Sequence, residues 1–118
     1  MSHIGHNSGT LSPEHMAHEL SRRGHEWADK HAAAEVLEQT IKSILAEIAQ
    51  DYRQSGKTSM TEAESLARAD KRYRQHVAEM VAARREANKA RVNFDVYRSF
   101  IEMARTKEAT QRAEMSMR

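Results

Sequence analysis

The chain has 118 residues, which is enough for a single domain. Charged residues make up 31% and aromatic residues only 5%, a profile typical of long helices and coiled coils rather than of a compact core. Cysteine is absent, which excludes disulfides and cysteine-ligated zinc. The first ten residues lack the apolar run of a signal peptide, and no stretch approaches the eighteen apolar residues of a membrane span. We therefore expect a cytoplasmic protein without a membrane partner.

Residues 1–11 contain two glycines, two serines and an asparagine without helical periodicity, and this pattern predicts a flexible, disordered tail. A strong helix start follows, because Ser12 is a good N-cap and Pro13 suits the first helical position. The predicted helix covers residues 13–54. Its apolar heptad series reads Leu20, Trp27, Ala34, Ile41, Ile48. The series keeps its phase across Gly24, which indicates one helix. Because glycine is unfavourable inside a helix, a kink or a break at this residue stays open.

A turn is predicted over residues 55–60, with Gly56 in the left-handed conformation that often follows a helix. Ser59 and Glu62 form a capping box that starts a second helix, predicted over 61–115 without glycine or proline. Its heptad positions are Leu66, Tyr73, Met80, Ala87, Phe94, Ile101 and, three residues on, Ala69, His76, Ala83, Ala90, Tyr97, Ala104.

The short turn predicts that the two helices fold back as an antiparallel hairpin. The fold class is therefore all-α, a long helical hairpin or coiled coil that forms a single domain over residues 12–118. Charge supports the pairing, because residues 14–54 carry a net charge of −3 and residues 61–118 a net charge of +4. The expected register places Leu20 opposite Phe94 and Trp27 opposite residues 83–87.

No set of residues has the pattern of a catalytic site, and we expect a protein that is not an enzyme and has no cofactor. The carboxylates lie within helical reach of arginine or lysine, as on a solvated helix surface. His15, His18 and His25 lie along one helix, but neither cysteine nor a His-Glu-x-x-His pattern accompanies them. Solvated histidines are therefore favoured, and no metal site is predicted.

A basic run is the candidate nucleic-acid site. Residues 68–91 carry a net charge of +5, and most of their cations fall at heptad positions that point away from the partner helix. The alternative is an ordinary solvated coiled-coil face. We call the predicted contact residues the basic stripe: Arg68, Lys71, Arg72, Arg74, Arg85 and Lys89.

Residues 92–103 are apolar on two sides of the predicted helix. Phe94, Tyr97 and Ile101 belong to the seam with the first helix, whereas a second apolar row lies opposite. A hairpin partner buries only one of these sides, so the other predicts self-association or a foreign protein partner. We call this second row the apolar face: Val92, Val96, Phe100 and Met103.

The segment Ile4-Gly5-His6-Asn7-Ser8-Gly9 resembles the opening of many small helical proteins from alphaproteobacteria and their phages, including the GapR-like nucleoid-associated family. Members of that family form coiled-coil oligomers that clamp DNA. The resemblance covers six residues and implies a bacterial or prophage origin and DNA binding. It identifies no DNA-contacting residue in this chain.

The combined expectation is a small coiled-coil binding protein that forms a dimer or higher homo-oligomer and contacts nucleic acid through the basic stripe. The alternative is a phage or bacterial adaptor or inhibitor that binds a host protein through residues 92–103. The partner's identity and the oligomer order stay open.

Overall fold

The computed structural model describes residues 12–56 and 59–117. In these residues the chain forms three helices, α1 Pro13–Ser55, α2 Met60–Ala69 and α3 Lys71–Ser116. The predicted all-α helical hairpin is confirmed. The predicted tail, residues 1–11, and Lys57 and Thr58 of the predicted turn lie outside the described residues. Within the described ranges, no helix combines the length and apolarity that a bilayer crossing requires.

The predicted helix starts are confirmed by hydrogen bonds. The Ser12 hydroxyl accepts from the His15 backbone N–H (3.1 Å), and the Ser59 hydroxyl accepts from the Glu62 N–H (3.2 Å). Helix α1 continues through Gly24 without a break. The left-handed conformation predicted for Gly56 is wrong, since its φ is not positive. The Ser55 hydroxyl donates to the Tyr52 carbonyl (3.3 Å), so a side chain satisfies one of the last carbonyls of α1.

The single helix predicted over 61–115 is interrupted at Asp70, which has extended backbone angles (φ −69°, ψ 143°). The Asp70 carboxylate accepts a hydrogen bond from the Arg72 backbone N–H (2.8 Å), as an N-cap does at the start of a helix. The same carboxylate accepts from the Tyr52 hydroxyl of α1 (2.8 Å). The Tyr52 side chain of α1 therefore favours the break at Asp70, although the sequence has no glycine or proline there.

Backbone contacts divide the chain into two compact units. The terminal unit comprises Met1–Ala28 and Lys89–Arg118, and the loop unit comprises Asp29–Asn88. In the loop unit the core consists of Ile48 and Ala49 from α1 with Ala63 and Ala67 from α2. Leu66 and Ala69, which the heptad series placed in the seam, are exposed instead. Because the helix breaks at Asp70, the heptad series of α3 does not extend into α2. Helix α2 therefore packs on α1 through Ala63 and Ala67.

In the terminal unit α1 and α3 pack around aromatic side chains. The ring centroids of Trp27 and Phe94 lie 5.6 Å apart. A Cβ added at Gly24 would lie only 3.3 Å from the Phe94 ring, so the glycine allows this ring to approach the α1 backbone. Phe94 therefore packs against Gly24 and Trp27, which lie one and two helical turns along α1 from Leu20, the residue that the expected register places opposite it. A large ring fills the space that a missing side chain leaves.

Candidate interaction surfaces

The apolar face lies on the surface of the terminal unit. Val92 is 54% exposed, Val96 62%, Phe100 43% and Met103 71%. On the opposite side of the same helix, Ile101 is 5% exposed, while Phe94 and Tyr97 are half-buried. Residues 92–103 therefore have one buried and one exposed apolar side, in agreement with the heptad positions of these side chains.

Two depressions adjoin this face. One, of about 380 Å³, is lined by Asp95, Ser99 and three members of the apolar face. The other, of about 570 Å³, is a groove between the start of α1 and the last turns of α3. Its lining residues are Pro13, Met16, Phe100, Met103, Ala104, Arg105, Lys107, Glu108 and Gln111. Phe100 and Met103 belong to both depressions, so the apolar surface is continuous from one to the other.

Sequence reasoning did not include Met16, Asp95 or Lys107 in this surface. Met16 comes from the other helix, and its position next to Phe100 and Met103 depends on the register of the hairpin. Asp95 and Lys107 had a signal in the sequence, because each lies three or four residues from an apolar-face residue along the helix.

The Tyr97 ring packs against the exposed Phe100 side chain. The Tyr97 and Phe100 ring centroids lie 5.8 Å apart, and the Arg23 guanidinium lies over the Tyr97 ring, 4.6 Å from its centroid. Arg23 is itself held by Glu19 (2.7 Å). The Tyr97 hydroxyl is buried and has no hydrogen-bond partner among the described residues. Phe100 therefore contacts a ring that is itself held in place by Arg23.

The basic stripe divides into side chains with and without ion-pair partners. Lys71, Arg74 and Arg85 are exposed in the loop unit, and no carboxylate of the described residues pairs with them. Arg68 is exposed and lies 3.8 Å from Glu64 of the preceding turn. Lys89 is an exposed residue of the terminal unit.

Arg72 has a structural contact within the loop unit. Its guanidinium pairs with Asp51 of α1 (2.7 Å) and with Asp70 (3.1 Å), and this raises the pKa of Arg72. Arg84, also within the basic run, donates to the Glu38 carboxylate (2.7 and 2.8 Å) and to the His31 ring (2.9 Å). These two arginines join α3 to α1, so their charges are largely compensated within the chain.

Three carboxylates among the described residues have a lowered pKa, and each of them accepts hydrogen bonds from arginine. Arg22 and Arg23 lower the pKa of Glu19 to about 2, and Arg84 lowers the pKa of Glu38. Hydrogen bonds from Arg72 hold the pKa of Asp70 well below its usual value. His76, which the heptad series placed in the seam, is half-buried and donates from Nε2 to the Leu37 carbonyl (2.8 Å). Within residues 12–56 and 59–117, no three His, Asp or Glu side chains are grouped as metal ligands would be.

Comparison of the chain with family models, with curated proteins and with solved structures gives no match.

Proposed function

We propose that this is a non-catalytic binding protein that self-associates through the apolar face and contacts nucleic acid through the basic stripe. The exposure of Val92, Val96, Phe100 and Met103 is the observation that carries the proposal. Fully burying each such side chain is worth roughly 1.5–3 kcal/mol, so leaving four of them in water is unfavourable. An exposed apolar surface of this kind is typical of a protein interface.

Electrostatics supports binding rather than catalysis. A carboxyl that acts as a general acid near neutral pH needs a raised pKa, usually caused by burial. The shifted carboxylates in the described residues, Glu19, Glu38 and Asp70, are all shifted downwards by arginines. They therefore remain ionised as partners in ion pairs between and within helices.

The nucleic-acid part of the proposal rests on Lys71, Arg74 and Arg85. These exposed cations project from one helix and have no described carboxylate to neutralise them. Lysine and arginine in such a row contact phosphates, which gives affinity that is largely independent of sequence and strongly dependent on salt. The resemblance of residues 4–9 to a family that clamps DNA favours the same ligand.

A salt titration of binding to duplex and single-stranded DNA tests this contact. We expect the combined variant Lys71→Gln, Arg74→Gln, Arg85→Gln to bind all sequences more weakly. The slope of log K against log salt should fall by about 2 to 3, because each phosphate contact contributes about 0.9. A matched control removes three cations of the same unit from α1: Lys30→Gln, Lys42→Gln, Arg53→Gln.

Equal losses in the two triple variants would show that net charge, and not the basic stripe, sets the affinity. If the wild type binds no DNA at about 50 mM salt, the nucleic-acid contact is rejected. The alternative, an adaptor or inhibitor that docks on a host protein through residues 92–103, would then be preferred. The groove beside Met16 and Phe100 favours that alternative, because it offers an apolar site flanked by charged residues.

A further inference from the structure

The larger groove lies at the start of α1. Pro13, the first residue of α1, and Met16 line one side of it, and Phe100 and Met103 line the α3 side. Met16 is half-buried, whereas Met103 is 71% exposed, so the described residues leave apolar surface uncovered in this groove. Val96 of the apolar face lines the smaller depression and does not line the groove.

The cap of α1 determines the helix position of the residue before it, Leu11. The Ser12 hydroxyl accepts from the His15 N–H, and the Ser12 carbonyl accepts from the Met16 N–H (3.0 Å), which makes Ser12 the N-cap residue. Met16 is therefore the fourth residue of the helix. An apolar residue directly before an N-cap often packs on an apolar residue at this fourth position, a contact called the hydrophobic staple. Leu11 and Met16 have the spacing and the side chains of such a staple.

We infer that residues 1–11 cover the groove and that the Leu11 side chain anchors them on Met16. Neither the self-association nor the nucleic-acid contact proposed above is required for this contact, because both of its partners belong to one chain. The groove then has an occupant from the chain itself. A foreign protein could use the groove only by displacing residues 1–11.

The length and composition of residues 1–11 fit this position. These residues lie outside the described part of the chain and join it at Ser12, next to Pro13 of the groove. Eleven extended residues span about 36 Å, whereas the α3 side of the groove, residues 100–111, is about 17 Å long. The segment contains no Asp, Glu, Lys or Arg, so its contact with an apolar surface buries none of these charges.

Methyl NMR of the full chain tests the contact directly. We expect nuclear Overhauser effects between the Leu11 methyl groups and the methyl groups of Met16 and Met103, one from each side of the groove. A sample that mixes isotope-labelled and unlabelled chains identifies the occupant, because effects within one chain persist there and effects between chains lose intensity.

Three results of this experiment would overturn the contact. Effects that occur only between chains would assign the groove to a second copy. Effects at Met16 without Met103 would show a staple that leaves the groove uncovered. No effect at either methionine would leave the groove to a foreign partner.

Substitutions give a second measurement, made at a single protein concentration. Leu11→Ala should lower the melting temperature by about 2–6 °C, because it removes part of a buried leucine side chain. In a Met16→Ala background the same substitution should have little further effect, because the two side chains act as a pair. Ile4→Ala is the matched control. It removes a branched apolar side chain from the same segment, away from the cap, and should have a smaller effect.

The Val96→Asp background separates this contact from the proposed self-association, because Val96 lies on the apolar face but not in the groove. The effect of Leu11→Ala should persist in that background. If it disappears there, residues 1–11 act between copies, and the contact within one chain is overturned while self-association stands. Equal effects of Leu11→Ala and Ile4→Ala, or additive effects of Leu11→Ala and Met16→Ala, would reject Leu11 as the anchor.

Discussion

Asp70 shows how one side chain combines several local roles. It caps α3 through the Arg72 N–H, and it accepts hydrogen bonds from the Tyr52 hydroxyl and the Arg72 guanidinium. Each of these contacts favours the ionised carboxylate, and the pKa of Asp70 is correspondingly lowered. A group whose pKa is lower in the folded state stabilises that state above its unfolded pKa, and this contribution is lost as the pH falls.

Asp70→Asn is therefore expected to lower the melting temperature at pH 6 and to matter less in acid. The difference from the wild type should be fully present above about pH 5 and should shrink below the unfolded aspartate pKa of about 3.9. Thermal unfolding followed by circular dichroism at pH 6, 4 and 2 measures it. Asp29→Asn, which removes an exposed carboxylate of α1, is the control. A difference between Asp70→Asn and wild type that is independent of pH would contradict the role of the ionised carboxylate.

At the scale of the helices, the heptad periodicity predicted the buried face wherever a helix runs without interruption. In α1 the positions of Leu20, Trp27 and Ala34 are half-buried or buried, and in α3 the same is true from Tyr73 to Ala104. The prediction failed in α2 because periodicity is a local signal. The break at Asp70 depends on Tyr52, eighteen residues away and on the other helix.

A pair of matched substitutions distinguishes the face of α2 that is buried in the structure from the face that the heptad series predicts to be buried. Ala67 is 0% exposed in the structure, whereas Ala69, which the heptad series placed in the seam, is exposed. Ala67→Leu should destabilise the fold by about 1–3 kcal/mol, because the core has no space for the added carbons. Ala69→Leu should stay within about 0.5 kcal/mol, because leucine is also a good helix former. Urea unfolding of both variants checks this, and the opposite order would restore the heptad phase and reject the break.

At the scale of the whole molecule, the exposure of the apolar face could be predicted from the sequence, whereas the ion pairs between α1 and α3 could not. The apolar face was predictable because one helix carries apolar residues on two sides and a hairpin covers only one. The pairing of Arg72 with Asp51, and of Arg84 with Glu38, was not predictable, because it depends on the register of α1 against α3. That register depends on details such as Gly24, where the Phe94 ring replaces a missing side chain.

The proposed self-association predicts an effect on stability that does not depend on how the two copies pair. A ligand that binds only the folded state raises the melting temperature, and for a dimer the ligand is the protein itself. We therefore expect the melting temperature of the wild type to rise with protein concentration between about 1 and 100 μM.

Two valines with nearly equal exposure make the test specific. Val96 on the apolar face is 62% exposed, and Val36 on α1 is 59% exposed. Val96→Asp should abolish the concentration dependence, because a charge would be buried in the interface without a partner. Val36→Asp carries the same loss of β-branched apolar surface and the same added charge, and it should leave the dependence intact. Differential scanning calorimetry of the three proteins decides the outcome. If Val36→Asp and Val96→Asp behave alike, the apolar face has no special role and a different surface must join the copies.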